Sequence, residues 1–293
     1  MITKMRFTKK QNFRRLIDYL DSNFNDKIYH FRGQSDSKWQ INSSFFRLAD
    51  KFIYDHPILR KDERIKSRYY GIKNDLKGKW HLLSDMISEE DDDYSKLSYL
   101  QHFGAPTNLI DFTLSPFIAL YFSLSEDMRV KMSSIYVIDY WQMEKINRNI
   151  VLPLYSAINK RFQLKSIQKE IEGYYKNNKM NDIVGFYNEN IGVQDNEEVK
   201  EIVDLYVPFK YNPRLKAQQG SFLVSTNENT DVEKLLNNIY SPNIGNVVKI
   251  TYPRAWCYNI YNYLCRHNIN GETLFPGIEG YATKVRQDII FNI

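Results

Sequence analysis

Gln101-His102-Phe103-Gly104-Ala105-Pro106-Thr107-Asn108-Leu109-Ile110-Asp111 runs into Phe112-Thr113-Leu114-Ser115-Pro116 and then Phe117-Ile118-Ala119-Leu120-Tyr121-Phe122. Its first eleven residues hold Gln, His, Gly, Pro, Thr, Asn and Asp. Pro106 pushes Ala105 out of the helical region, so Gly104–Thr107 is a turn or irregular loop. Leu109–Phe112 reads as a short extended segment. Ser115 then suits an N-cap and Pro116 the first helical position, with Phe117, Leu120, Tyr121 and Leu124 on the buried face of the helix that follows. A helix start of this kind accepts an anion, and Asp111 is a candidate to fill that place. Polar groups this dense against an apolar helix point to a site.

Upstream, Ile28–Gln34 reads as a strand rich in aromatic residues, with Arg32 embedded in it. A buried guanidinium needs a carboxylate or phosphate partner. Asp111 is one candidate, with both groups buried; an anionic ligand is the other. Gly33 lets a backbone or ligand approach closely, and His30 shares the face of Arg32. Trp39, Ile41 and Ser43 alternate, suggesting a second short strand over Trp39–Arg47, with Arg47 as an isolated anion ligand. Thr8 and Gln11 form a capping box before Phe13, Leu16, Ile17 and Leu20, which predicts a helix over about residues 9–22. Residues 50–100 read as mostly helical and highly charged. The acidic run at 89–93 suits a solvated loop or helix start better than a metal site.

Downstream, Ser133–Asp139 is a clear strand. Residues 141–200 turn rich in Lys, Asn, Glu and Ile, and read as a helical insertion within a single domain spanning 1–293. Strands resume at 202–207, 220–225 and 247–252. Gln218 and Gln219 precede Gly220, with Lys210 and Arg214 nearby either as added positive charge beside Gln219 or as ordinary solvated cations. Pro253 opens a helix over about 254–268, with Ala255, Tyr258, Ile260 and Leu264 as apolar positions. Leu274–Tyr281 reads as a turn-rich loop holding one acid, Glu279. Strands spaced this irregularly exclude a doubly wound sheet. The expected class is α+β: a mixed, mostly antiparallel sheet split into two halves and flanked by helices.

A chain of 293 residues with 43% hydrophobic and 15% aromatic content can build a large core. The net charge of +5 suits anionic ligands, but without a clustered patch does not imply nucleic acid. Cys257 and Cys265 read as reduced core thiols of a cytoplasmic protein. There is no apolar leader, no run long enough for a membrane span, and no P-loop, GxGxxG, HExxH or GxSxG motif. No metal ligand set is expected.

Phe31-Arg32-Gly33-Gln34, with Trp39, Ser43-Ser44 and Arg47, resembles the signature of the FRG domain family. The likeness is strongest over 101–122, where the family reads QHxGxPTRLLDWTxSPxxALxFA. It extends to Gln218–Phe222 and Leu274–Gly280. Asn108 stands where the family usually has Arg, and Gly277 where Asp is common. A looser similarity, in an early strand Arg-Gly, a strand–helix unit and a late acid, is to the ADP-ribosyltransferase layout.

That similarity implies an NAD-using ADP-ribosyltransferase or NAD glycohydrolase, a toxin or antiphage effector, with NAD as substrate. Arg32 would clamp the diphosphate or ribose. His102 or Gln101 would hydrogen-bond ribose or the nicotinamide amide, with Gly33, Gln34, Thr107 and Gln219 as further contacts and Phe31 and Tyr121 as aromatic walls. Glu279, or Asp111 in its place, would stabilise charge at the ribose C1′. A protein or nucleic-acid acceptor and an antitoxin or defence partner are expected, and a membrane is not. The alternative is a non-catalytic module binding a nucleotide, nucleic acid or partner protein. A hydrolase pairing His102 with Asp111 as acid and base is a third reading.

Overall fold

The computed structural model describes residues 2–55, 93–162, 201–208, 211–227, 230–240 and 246–291, with positions 71, 79 and 82. One sheet of seven strands organises them: β1 Thr3–Arg6, β2 Tyr29–Gln34, β3 Ile110–Thr113, β4 Met132–Asp139, β5 Val203–Tyr206, β6 Gly220–Ser225 and β7 Val247–Pro253. The order across the sheet is β1-β7-β4-β2-β3-β6-β5. Only β1 and β7 run parallel; every other neighbouring pair is antiparallel. The fold is α+β, and the strand positions expected from sequence hold to within a residue or two.

The helices among the described residues are α1 Arg14–Asn23, α2 Ser44–Asp55, α3 Asp93–His102, α4 Pro116–Phe122, α5 Tyr140–Phe162, α6 Pro213–Ala217, α7 Val232–Leu235, α8 Cys257–Arg266, α9 Gly271–Leu274 and α10 Ile278–Ile290. The pleat of β4 sends alternate residues into two cores. Ile135 and Val137 join Phe31, Leu16, Leu20, Leu120, Ile260 and Leu264 on one face. Tyr136 and Ile138 join Ile110, Phe112, Leu205, Leu223 and Tyr240 on the other.

Several expectations need correction. Residues 39–43 form no strand, and α2 follows them directly. The Phe46 N–H donates to Ser43 Oγ at 3.0 Å, so a hydroxyl at the helix start overrides the local alternation. Trp39 is 56% exposed while Ile41 is buried, so the two do not share a buried strand face. The first helix starts at Arg14; Thr8 and Gln11 close only a turn before it, through Thr8 N–H to Gln11 Oε1 at 2.7 Å. Strand β1 carried no sequence signal, and its register against β7 supplies its pairing. Ala255 and Tyr258 are exposed, and Cys257, Ile260, Tyr261 and Leu264 form the buried stripe of α8. Residues 163–200, most of the expected insertion, lie outside the described residues, as do Lys210, Glu89–Asp92, His56 and His81.

The expected helix after Ser115 is present. Its Oγ accepts from Ile118 N–H at 3.3 Å, and Pro116 takes the first helical position. This helix presses flat on β2 at one point. A Cβ on Gly33 would lie 1.9 Å from Ala119 O and 2.6 Å from Ser123 N, both main-chain atoms with no room to yield. Gly33 therefore serves close helix–strand approach. Gly33→Ala should destabilise the protein by about 3 kcal/mol, as overpacking against backbone does. Urea unfolding of the two proteins measures this, and an unchanged midpoint would contradict the contact.

Candidate functional site

The site begins at the weakest seam of the sheet. Six residue pairs join β2 to β4 and four join β3 to β6, but β2 and β3 meet at Phe31–Thr113 alone. The expected split is thus a one-pair seam inside a continuous sheet. The side chain of Arg32 fills the gap: its Nη1 donates to the main-chain oxygen of Asp111 at 2.6 Å. Its Nε is buried without a partner among the described residues. Burial pulls the pKa of Arg32 down, the charge of Asp111 pushes it back up, and Arg47 pulls it down again. An arginine stays charged through such shifts.

The expected Arg32–Asp111 clasp of two buried side chains does not form. Asp111 is exposed, and its Oδ1 accepts from Gln101 Nε2 at 2.6 Å. Nor does Asp111 occupy the start of α4, where Thr113 Oγ1 accepts from Ser115 N–H at 3.1 Å and Ser115 caps Ile118. Gln101 Oε1 in turn accepts from Thr107 Oγ1, and Thr107 N–H donates to Ser44 Oγ at 3.0 Å. Thr107 is buried and ties the loop to α2, which makes it a support for Gln101 and not a ligand contact.

A cavity of about 350 Å³ opens beside the seam, and Arg32, Gln101, His102, Asp111, Phe122 and Gln218 are in its wall. The end of α3 and β3 meet β2 there, while Gly104, Ala105 and Leu109 of the loop meet Arg32 at a second cavity. That second cavity, of about 180 Å³, brings Arg47 beside Arg32, Gln101 and Asp111. Arg47 looked isolated in sequence because α2 had been read as a strand. It lies on the helix, held by a hydrogen bond to Asn42 O.

His102 ends α3 at the cavity rim, with Nδ1 3.4 Å from Arg214 Nη1. Burial lowers its pKa, Arg214 lowers it further, and Glu279 offsets part of the effect. The ring is therefore neutral near pH 7, with Nδ1 accepting from the guanidinium and the proton on Nε2. His102 pairs with Arg214 and not with Asp111, so no acid–base dyad joins those two. Arg214 also lies 4.6 Å over the Phe275 ring and 3.9 Å from Glu279 Oε1. Of the two readings that sequence offers for Arg214, added positive charge is the one its place in the cavity wall matches, and its proximity to His102 needs the fold to bring residues 112 positions apart together.

Glu279 sits in the first turn of α10, not in a loop, and its side chain is 66% exposed. It stands outside the cavity wall and reaches the site through Arg214. Gln219 is exposed in a left-handed turn, φ 46°, and its carbonyl accepts from Leu114 N–H. Its neighbour Gln218 takes the expected place, with Nε2 donating to Leu274 O at 3.1 Å. Tyr121 points into the core, where its hydroxyl donates to Gln287 Oε1 at 2.7 Å and burial raises its pKa. Phe122 supplies the aromatic wall instead, edge-on to Phe275. Phe31 borders the cavity but is buried against Phe24. Gln34 is buried and faces the opposite side of the seam.

Among the described residues no three His, Cys, Asp or Glu side chains gather to hold a metal ion, and no helix is long and apolar enough to cross a membrane. Both cysteines are free thiols; Cys257 is buried and Cys265 half-buried. Residues 27–131 match the family model of the FRG domain. The matched span holds Arg32, Arg47, Gln101, His102 and Asp111; Arg214, Gln218 and Glu279 lie beyond it. No curated protein and no solved structure matches the chain.

His30 shares the face of Arg32 but not its exposure. It is buried, bonded to Ser221 Oγ at 2.7 Å and packed on Tyr140, and burial lowers its pKa to about 4. The folded protein keeps it neutral while an unfolded chain protonates it near pH 6.5. Stability from this group is thus complete above pH 6.5 and is lost as pH falls towards 4, by about 3 kcal/mol in all. His30→Gln should flatten the stability slope between pH 6.5 and 4 in urea titrations. A slope unchanged by the substitution would contradict a buried neutral imidazole.

Proposed function

We propose that the seam cleft binds NAD and that the protein is an ADP-ribosyltransferase or NAD glycohydrolase. The observation that carries this reading is the pairing of Arg32 with Asp111 in one cavity without mutual neutralisation. The guanidinium takes a main-chain carbonyl, and the carboxylate takes the Gln101 amide. Cation and anion are both presented to a ligand. The diphosphate suits Arg32, whose fork matches two phosphate oxygens.

In the reaction, the C1′–N bond to nicotinamide breaks and its electron pair leaves with the ring. Positive charge develops at C1′, and the Asp111 carboxylate stabilises it electrostatically. Water or an acceptor group attacks C1′ and gives up its proton to solvent, while the Nε2–H of neutral His102 is left to donate to a ribose hydroxyl. Phe122 offers an aromatic surface to the nicotinamide. The geometry favours Asp111 over Glu279 for the acid, because Glu279 stands outside the wall and is held by Arg214. Consumption of NAD in a bacterial cell would act as a toxin or antiphage effector does.

A second reading, a non-catalytic nucleotide-binding module, is favoured by one fact: the Asp111 carboxylate already accepts a short hydrogen bond from Gln101. One assay separates the two. Purified protein with NAD should release nicotinamide. Asp111→Asn should slow release by about 10²–10³-fold, as loss of one charge-stabilising group does. Arg32→Ala should slow it at least about tenfold, and Glu279→Gln by less than about threefold. No release by the unmodified protein, with water, protein and nucleic-acid acceptors supplied, would sink the enzymatic reading. NAD binding by calorimetry without release would then support the module.

A further inference from the structure

Arg32 lines cavities on both sides of the seam. The second side is larger, about 790 Å³, and no part of the proposed chemistry uses it. Its wall includes Gln34, Lys38, Trp39, Arg47 and Lys51 beside Arg32. Three features there point to a ligand. Trp39 is 56% exposed, although burying an indole is favourable and surface Trp is uncommon in a folded domain. Two guanidinium groups and two ammonium groups converge on one wall, with Asp50 the carboxylate opposing them. Gln34 is 4% exposed, and its Oε1 meets no donor among the described residues.

The Gln34 observation is specific. Its Nε2 donates to Gln40 O at 3.2 Å, which fixes the orientation of the amide and leaves Oε1 as the group in need of a partner. Buried polar atoms are nearly always paired. The missing partner must be a donor, and a ligand carrying an N–H or O–H in this cavity would supply it. The cations ask for phosphate, and the indole asks for a flat ring.

We propose that this second cavity is a subsite for an adenine-type nucleotide: a base stacked on Trp39, its exocyclic amine donating to Gln34 Oε1, and its phosphate between Arg32 and Arg47. The proposal deepens the NAD reading and rests on it only for the link between the two cavities. With Arg32 common to both cavities, a diphosphate on its guanidinium would send the adenosine half to Trp39 and the nicotinamide half to Asp111. The subsite itself requires no hydrolysis.

Equilibrium binding of AMP, IMP and nicotinamide mononucleotide to the full chain tests it, read by calorimetry and by quenching of indole fluorescence. AMP should bind. Trp39→Ala, at an exposed position that folding does not depend on, should weaken AMP at least about tenfold and leave nicotinamide mononucleotide within about twofold. IMP, with a carbonyl where AMP has its amine, should bind at least about tenfold more weakly than AMP, because Gln34 would then face a second acceptor. No AMP binding, or AMP binding that neither Trp39→Ala nor the change to IMP weakens, overturns the subsite. The two readings fail separately. AMP binding that depends on Trp39, with no nicotinamide release from NAD, removes the enzyme and keeps the subsite. Nicotinamide release whose KM ignores Trp39→Ala keeps the enzyme and removes the subsite.

Discussion

A half-buried guanidinium must find acceptors, and Arg32 finds one by holding a sheet open. If β2 and β3 zipped beyond Phe31–Thr113, the Asp111 carbonyl would be drawn into the ladder and lost to the side chain. The open seam forfeits a few ladder hydrogen bonds, each worth about 1 kcal/mol net. An unpaired buried charge costs several kcal/mol. The second number is larger, so the seam stays open where Arg32 sits. The gap that satisfies the guanidinium is also the cleft, and structural need and access to a ligand come from one feature.

The same economy governs Asp111. A bidentate pair with Arg32 would have cancelled both charges and closed the cavity. Instead Gln101 takes the carboxylate, Thr107 takes Gln101, and Ser44 takes Thr107. This chain runs from α2 through the loop to β3 and fixes Asp111 by neutral donors. The turn at Gly104, φ 88°, lets the loop fold back far enough for Thr107 to reach Gln101. The polar density of the segment 101–111 is therefore mostly scaffold, with Asp111 and the outer face of Gln101 left to meet a ligand.

Sequence made much of this legible, and its failures have physical causes. Alternating apolar runs gave β4, β6 and β7, and the Ser115-Pro116 start gave α4, because local chemistry decides those elements. Trp39–Arg47 went wrong because Ser43 capping outweighs a three-residue alternation. The error hid Arg47, whose approach to Arg32 depends on the helix. Gln219 and Tyr121 each missed by one position: a left-handed turn at Gln219 presents Gln218 to the cavity, and the helical turn at α4 presents Phe122. Asp111 was correctly placed near Arg32, but whether its carboxylate or its carbonyl would meet the guanidinium is a matter of a single rotation along β3. No pattern of residue types carries that information.

Arg214 explains why the late acid does not complete the cleft. It is packed on Phe275 and placed between His102 and Glu279, 3.4 Å from one and 3.9 Å from the other. A cation in that place needs an acceptor on each side. Its charge helps keep His102 neutral, and neutrality makes Nδ1 the acceptor it requires. The Glu279 carboxylate balances the same charge from the solvent side. Were Glu279 to swing into the cavity, Arg214 would lose that balance, and its charge would stand beside the position where the proposed reaction develops positive charge. The arrangement keeps Glu279 outside the cavity, which under the proposed reaction leaves the acid's part to Asp111.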